Sequence, residues 1–496
     1  MPRFEPCLNF IGGTWCEPKT RQYGDNVNPA NGEVLGLWAR SGPDDLDDAV
    51  RAAREAQAAW RLVPAPERAK VLRRVADLLR ERKDEIARTL TMEMGKVIEE
   101  ARGEVQEAID MADYMAGEGR RLFGQTTPSE LPNKFAMSVR APVGVVGIIT
   151  PWNFPIAIAS WKSLPAIVAG NAVVWKPAEE TPLTARAFAE VYQEAGLPAG
   201  VLNVVYGDGP VVGEAMLDHP GIDVISFTGS TETGRHIASR AGANLKRVSL
   251  EMGGKNAITV LADADLDLAV EAILWSAYGT SGQRCTAASR VIVEHAVEGE
   301  LLARLVPRVE ALRVGDGLDP AVQVGPVIHE EALGKIQRYV DLGAQEGARL
   351  LTGGRRLTDG PLARGFYYAP TVFAGVRPEM RIAQEEIFGP VLAVMAVDSF
   401  EEAIQVNNGV QYGLSASIFT RDVNRVFQAM RDLDTGIVYV NAGTTGAEIH
   451  LPFGGTKATG NGHRDSGQAA LDVFTEWKTI YVDYSGRLQR AQIDNN

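Results

Sequence analysis

Between residues 143 and 250, five short apolar runs (143–149, 172–175, 201–206, 223–227 and 248–250) alternate with segments of helical character such as 184–194. Runs this short and evenly apolar suit strands buried on both faces, and strands separated by helices close into a parallel, doubly wound α/β sheet. Ligands bind at the tips of such strands, so each segment that follows a run becomes a candidate for chemistry. Upstream, residues 44–122 are rich in Ala, Arg, Glu and Leu at helical spacing, as in Val71, Val75, Leu78 and Leu79, and predict a helical layer. A second α/β region begins after Gly254 and continues to about Thr459, with its own apolar runs at 290–293, 391–397 and 436–440. Residues 135–139 and 473–484 alternate apolar and polar side chains as half-buried strands do, and are expected to pair as an arm for self-association. At 496 residues the chain exceeds one ordinary hydrophobic core, so two or more lobes are expected.

The formal net charge of −13, from 50 basic and 63 acidic side chains, sets up a field that repels polyanions and argues against a nucleic-acid partner. Three cysteines, Cys7, Cys16 and Cys285, are too few for a disulfide framework and lack the spacing of a zinc site, which fits a reducing cytoplasm and no bound metal. The opening Met-Pro-Arg-Phe-Glu-Pro puts prolines and an acid where an export signal needs an apolar core. The most apolar stretch, 141–175, is interrupted by Asn153, Lys162 and several prolines and glycines, and reads as buried core, not as a membrane span.

Cys285 lies in Gly279-Thr-Ser-Gly-Gln-Arg-Cys285, where small residues allow a bend whose amides can face an anion. A thiol near its reference pKa of about 8.5 is only a few per cent ionised at pH 7, so neighbouring amides or Arg284 are expected to favour the thiolate. Taken alone, an inert buried cysteine is the commoner case. Glu251 sits in Ser249-Leu-Glu251-Met-Gly-Gly-Lys255, at the end of an apolar run and before a glycine turn. A surface acid is its plain alternative. Asn153, in Thr150-Pro-Trp-Asn153-Phe-Pro155, follows the run 143–149 between two stiffening prolines, where a fixed amide can donate to an oxyanion or simply form a turn. Phe227-Thr-Gly229-Ser230-Thr-Glu-Thr-Gly234 places amides at a helix start suited to a pyrophosphate, although it matches neither the Rossmann nor the P-loop fingerprint. Lys176 and Glu179, at another strand end, can bond ribose hydroxyls or form a solvated ion pair.

Together, and in this order, Pro151-Trp-Asn-Phe-Pro155, Lys176-Pro-Ala-Glu179, Phe227-Thr-Gly-Ser230, Leu250-Glu-Met-Gly-Gly254, Gly282-Gln-Arg-Cys285, Glu385-Glu-Ile-Phe-Gly-Pro390 and Pro452-Phe-Gly-Gly455 resemble the aldehyde dehydrogenase superfamily along nearly the whole chain. The resemblance implies an α/β fold with a Rossmann-like cofactor domain (1–123 and 144–254, with 460–473 packing back on it), a catalytic domain (255–459) and an oligomerisation arm (124–143 and 474–488). It implies Cys285 as nucleophile, Glu251 as general base and Asn153 as oxyanion donor. NAD is the implied cofactor, with NADP as the alternative. Lys176 and Glu179 are implied at the adenosine ribose, Ser230 at the pyrophosphate, and Glu386 with Phe388 around the nicotinamide ribose and ring. Thr150, Pro151, Trp152, Gly209, Phe227, Gly229 and Gly253 complete the implied cofactor contacts. Lys162 is implied in a proton relay with an acid that here is Asp465, one methylene shorter than the family's glutamate, so a structural ion pair is an equal reading.

Hydrolysis by Glu251 is expected over acyl transfer to coenzyme A, and the retained triad of Cys285, Glu251 and Asn153 over a non-catalytic structural role. The implied substrate wall comprises Phe154, Arg284, Thr286, Gly446, Ala447 and Phe453. Arg284 beside the nucleophile, with the loop Thr444-Thr-Gly-Ala-Glu-Ile449, resembles branches acting on acidic semialdehydes, notably the α-ketoglutaric and α-aminoadipic ones. Simple aliphatic or aromatic aldehydes are the alternative. A homodimer or homotetramer is expected.

Overall fold

The structure is a computed structural model and describes residues 4–494. Its first sheet has seven strands in the order Arg247–Glu251, Val224–Thr228, Val145–Ile149, Ala172–Lys176, Leu202–Val204, Asn9–Ile11 and Thr14–Cys16. The first five run parallel, and the amino-terminal hairpin closes the far edge antiparallel. This is the doubly wound sheet predicted from the apolar runs. Its strand order reverses at Val145–Ile149, which has Ala172–Lys176 on one side and the later strand Val224–Thr228 on the other. At such a switch point the connections leave in opposite directions and a crevice opens beyond the strand tips. Asn153, Ser230 and Glu251 all lie at or just past those tips.

The helical layer consists of Pro43–Trp60, Ala65–Glu81, Lys83–Met94 and Ile98–Glu118. Helix Ala157–Ala169, inside the most apolar stretch, is buried along its whole length. That explains why it shows no amphipathic period: neither face meets water. Among the described residues no helix is long and apolar enough to cross a membrane.

A second seven-stranded sheet runs Arg349–Thr352, Thr371–Ala374, Val391–Val397, Ala288–Glu294, Asn256–Val260, Ser415–Phe419 and Ile437–Val440, all parallel except the first. Here it is the amino-terminal tips that matter, since Lys255, Cys285 and Glu386 precede three of its strands. Carboxyl tips of one parallel sheet thus meet amino tips of the other, joined by the Asn153 amide, which donates to the Gln283 carbonyl at 3.0 Å.

Thr475–Asp483 pairs antiparallel with Lys134–Pro142, which pairs in turn with Gln125–Pro128. The strand begins two residues later than the alternation suggests, because Val473 and Phe474 close the short helix Ala470–Phe474 and are fully buried. Phe135, Trp477 and Tyr481 stand exposed on this ribbon.

Candidate active site

The loop carrying Cys285 departs from helix Leu266–Tyr278 through Thr280 and Ser281, whose φ values of +51° and +56° are left-handed. A β-branched residue avoids that region, so something outside the loop must hold it. Glu100 does: its carboxylate accepts the Thr280 N–H and hydroxyl, each at 3.0 Å. Gly282 has φ +70°, and a Cβ there would lie 2.2 Å from the Gly389 carbonyl. The Cys285 thiol, half-buried, is pushed up to about 12 by burial and then by the Glu386 and Glu251 carboxylates. The Thr286 and Cys285 amides pull it down, as expected, but burial and the two carboxylates outweigh them. The Arg284 guanidinium is held by other groups, Nη2 by Glu100 at 3.0 Å and Nε by the Thr280 hydroxyl at 2.9 Å.

Asn153 is buried, and its Nδ2 donates to the Gln283 carbonyl at 3.0 Å, which fixes the amide beside the nucleophile loop. Glu251 is the last residue of its strand, in register with Thr228. Both carboxyl oxygens are buried without a hydrogen bond of ordinary geometry. Burial raises its pKa well above the carboxylate range, Asp465 adds to the rise, and Lys162, Arg464 and the Gly455 amide oppose it. A Cβ on Gly454 would fall 2.4 Å from Glu251 Oε1, so only glycine leaves the carboxyl its space. Lys162 bonds Asp465 at 2.8 Å and the Ser226 hydroxyl at 3.1 Å, with both members of the ion pair buried. The missing methylene of Asp465 does not prevent that contact.

Cys285, Glu251, Phe154, Arg284, Thr286, Gly446, Ala447 and Phe453 all line one cavity of about 310 Å³. Asn153 stands behind its wall. Trp161, Trp275 and Glu107 also line it and escaped the sequence reading, since a tryptophan or an acid at helical spacing reads as core or solvated face. Arg284 is the one cationic side chain in the lining, and among the described residues no hydrogen bond occupies its Nη1. The sequence reading put Arg284 in the substrate wall; in the structure it lines the cavity with two of its three nitrogens engaged and its charge balanced by Glu100.

On the other side of the strand tips, Lys176 Nζ pairs with Glu179 at 3.0 Å and the same Glu179 oxygen accepts the Gly209 N–H at 2.8 Å. Ser230 caps helix Thr231–Ala243 by accepting the Thr233 N–H, which leaves the first amides of that helix without intrahelical acceptors. Thr150 accepts the Trp175 indole N–H at 2.8 Å, Trp152 meets the Phe388 ring edge-on at 5.6 Å, and Glu386 accepts the Gly254 N–H at 3.1 Å. A Cβ on Gly253 would lie 2.2 Å from the Glu386 carboxylate. Free helix amides, a carboxylate fixed near a lysine and a second carboxylate at the glycine turn are a donor and acceptor set that fits a dinucleotide. Among the described residues no group of His, Cys, Asp and Glu is arranged to hold a metal.

Two parallel sheets facing each other tip to tip, with a cysteine and a buried carboxyl in one cavity beside a dinucleotide-type cradle, define an oxidoreductase architecture. The aldehyde dehydrogenase family model matches residues 15–480, and the chain belongs to that family. It is 44% identical over 476 residues to an alpha-ketoglutaric semialdehyde dehydrogenase of Bacillus subtilis, covering 96% of this chain and 98% of that protein. An alpha-ketoglutarate semialdehyde dehydrogenase of Haloferax volcanii is 43% identical over 482 residues, covering 97% of this chain and all of that one. The crystal structure of a betaine aldehyde dehydrogenase from Staphylococcus aureus in complex with NAD+ superposes with a TM-score of 0.95 at 36% identity, covering 97% of this chain and 96% of the other.

Proposed function

We propose that this chain oxidises an acidic semialdehyde, α-ketoglutaric semialdehyde, with NAD+ and water: RCHO + NAD+ + H2O → RCOO− + NADH + 2H+. The observation that carries the reading is one cavity lined at once by Cys285, Glu251 and, as its single cation, Arg284. The substrate name follows the relatives in Bacillus subtilis and Haloferax volcanii, and the cofactor follows the Staphylococcus aureus complex.

Cys285 Sγ loses its proton to solvent and attacks the aldehyde carbon, and the Asn153 amide and the Cys285 backbone N–H are assigned to stabilise the resulting oxygen anion. Collapse of the adduct expels a hydride, which bound NAD+ accepts, and leaves a thioester on Cys285. Glu251, once ionised, removes a proton from the water that cleaves the thioester, and the acid departs as the thiol re-forms. The neighbouring Lys162 charge favours that ionised form and Asp465 opposes it. Ser230 with the helix amides would hold the pyrophosphate, Lys176 and Glu179 the adenosine ribose, and Glu386 the nicotinamide ribose. The exposed aromatic ribbon of Lys134–Pro142 and Thr475–Asp483 is assigned to self-association as a homodimer or homotetramer.

The test is NADH formation with a panel of aldehydes. The semialdehyde should be turned over, and Cys285→Ala should abolish turnover while NAD+ binds unchanged. Full activity in that variant refutes the thioester route. Faster turnover of neutral aliphatic or aromatic aldehydes replaces the acidic reading with a general aldehyde dehydrogenase.

A further inference from the structure

Helix Ile98–Glu118 carries two acids, Glu100 and Glu104, four residues apart and therefore on one face. Both are buried, and each is spent on a different loop of the site. Glu104 accepts the N–H groups of Ile156 at 3.0 Å and Ala157 at 3.3 Å, and pairs at 2.6 Å with Lys96. Lys96 in turn donates to the Asn153 carbonyl at 2.7 Å and stands 3.6 Å over the Phe154 ring, so one ion pair grips both sides of the Asn153 turn. Glu100 grips the nucleophile loop at Thr280, where the backbone is left-handed, and at Arg284. The two loops meet directly in the bond from Asn153 Nδ2 to the Gln283 carbonyl.

We propose that Glu100 and Glu104 are positioning residues, and that their one-turn spacing on a single rigid helix sets the separation between the Asn153 amide and the Cys285 sulfur. The inference rests on the roles of Asn153 and Cys285 given under Proposed function. A carboxylate that is fully desolvated and fully bonded fixes its partners far more tightly than a solvated one, because every alternative position leaves a buried charge unpaired. A displacement of about 1 Å at a reacting centre lowers rates by about a hundredfold, so the two carboxylates have leverage through the loops they hold.

The division of labour gives the test. Glu104→Gln and Glu100→Gln are compared with wild type in three measurements: kcat and KM with NAD+ and aldehyde, NAD+ affinity, and the rate at which iodoacetamide alkylates Cys285. Glu104→Gln should lower kcat by about 10- to 100-fold, with KM, NAD+ affinity and the alkylation rate each within about twofold of wild type. Glu100→Gln should change kcat and the alkylation rate together, since it loosens the loop that carries the sulfur. Should Glu104→Gln fold poorly, the double variant Lys96→Met/Glu104→Gln removes the charges as a pair and should show the same fall in kcat with unchanged alkylation. Wild-type kcat in folded Glu104 and Glu100 variants overturns the proposal, as does a Glu104 variant that loses kcat and alkylation in parallel, the mark of general loosening. Wild-type enzyme that stays active after alkylation refutes the nucleophile assignment itself, and the inference falls with it.

Discussion

Replacing Arg284 by Met removes the only cation that the described residues contribute to the cavity wall while keeping most of its volume, and the structure sets the size of the effect. A free guanidinium would grip a substrate carboxylate with two parallel hydrogen bonds, but Nη2 and Nε are already held by Glu100 and Thr280. One bond from Nη1 remains, and the Glu100 charge 3.0 Å from Nη2 cancels most of the longer-range attraction. The loss should therefore sit at the low end for a bond to a charged group, about 1.5 kcal/mol, or about a tenfold fall in kcat/KM for α-ketoglutaric semialdehyde. Glu100 keeps its bonds to the Thr280 N–H and hydroxyl in the variant, so the nucleophile loop is still held. Pentanal, of equal chain length and without charge, should lose no more than about twofold. The assay is initial-rate NADH formation with both aldehydes on wild type and variant. Equal declines would show that Arg284 supports the loop and not the substrate, and the acidic specificity would then need another origin.

Glu251→Gln should retain the hydride step and stall hydrolysis, giving about one NADH per active site in a rapid burst before a slow phase; an undiminished steady state would remove Glu251 from the base role. Glu107 makes no hydrogen bond or ion pair among the described residues, and burial, then the Glu104 carboxylate, push its carboxyl up to about 8. It is uncharged at neutral pH and ionises as pH rises through about 8, so KM for the acidic aldehyde should climb there while that for pentanal stays flat. Glu107→Gln should abolish the climb, and a rise of equal size for both aldehydes would assign the effect elsewhere. Glu179, fixed by Lys176 and the Gly209 amide, should repel a 2′-phosphate, so NAD+ is preferred to NADP+ and Glu179→Gln narrows that preference by about tenfold; parallel kinetics with the two cofactors decide it.

The parallel sheets were legible because strands covered on both faces leave continuous apolar runs, as 391–397 shows by matching Val391–Val397 end to end. Cys285 and Glu251 stood out beside glycine turns, but it was the resemblance to the aldehyde dehydrogenases that gave them their roles. What periodicity cannot carry is the direction of a long side chain. Arg284 is chosen by Glu100, 184 positions earlier in the chain, and nothing local to either residue signals the other. For the same reason nothing in the helical layer of residues 44–122 singled out Glu100, Glu104 and Glu107, although they face a loop, a turn and a cavity.

Pairing the charges around the cavity leads to a consequence for how the site is switched on. Lys96 is matched by Glu104, Arg284 by Glu100 and Lys162 by Asp465, each pair within 3.0 Å. Two further lysines, Lys255 and Lys335, act on Glu386, which together with Glu251 opposes a thiolate. A thiol held near 12 is ionised in only about one molecule in ten thousand at pH 8. Burial and these carboxylates thus favour the neutral thiol, and a positive charge brought in beside Glu386 would favour the thiolate. NAD+ carries such a charge on its nicotinamide ring, so its binding there would raise the reactivity of the sulfur.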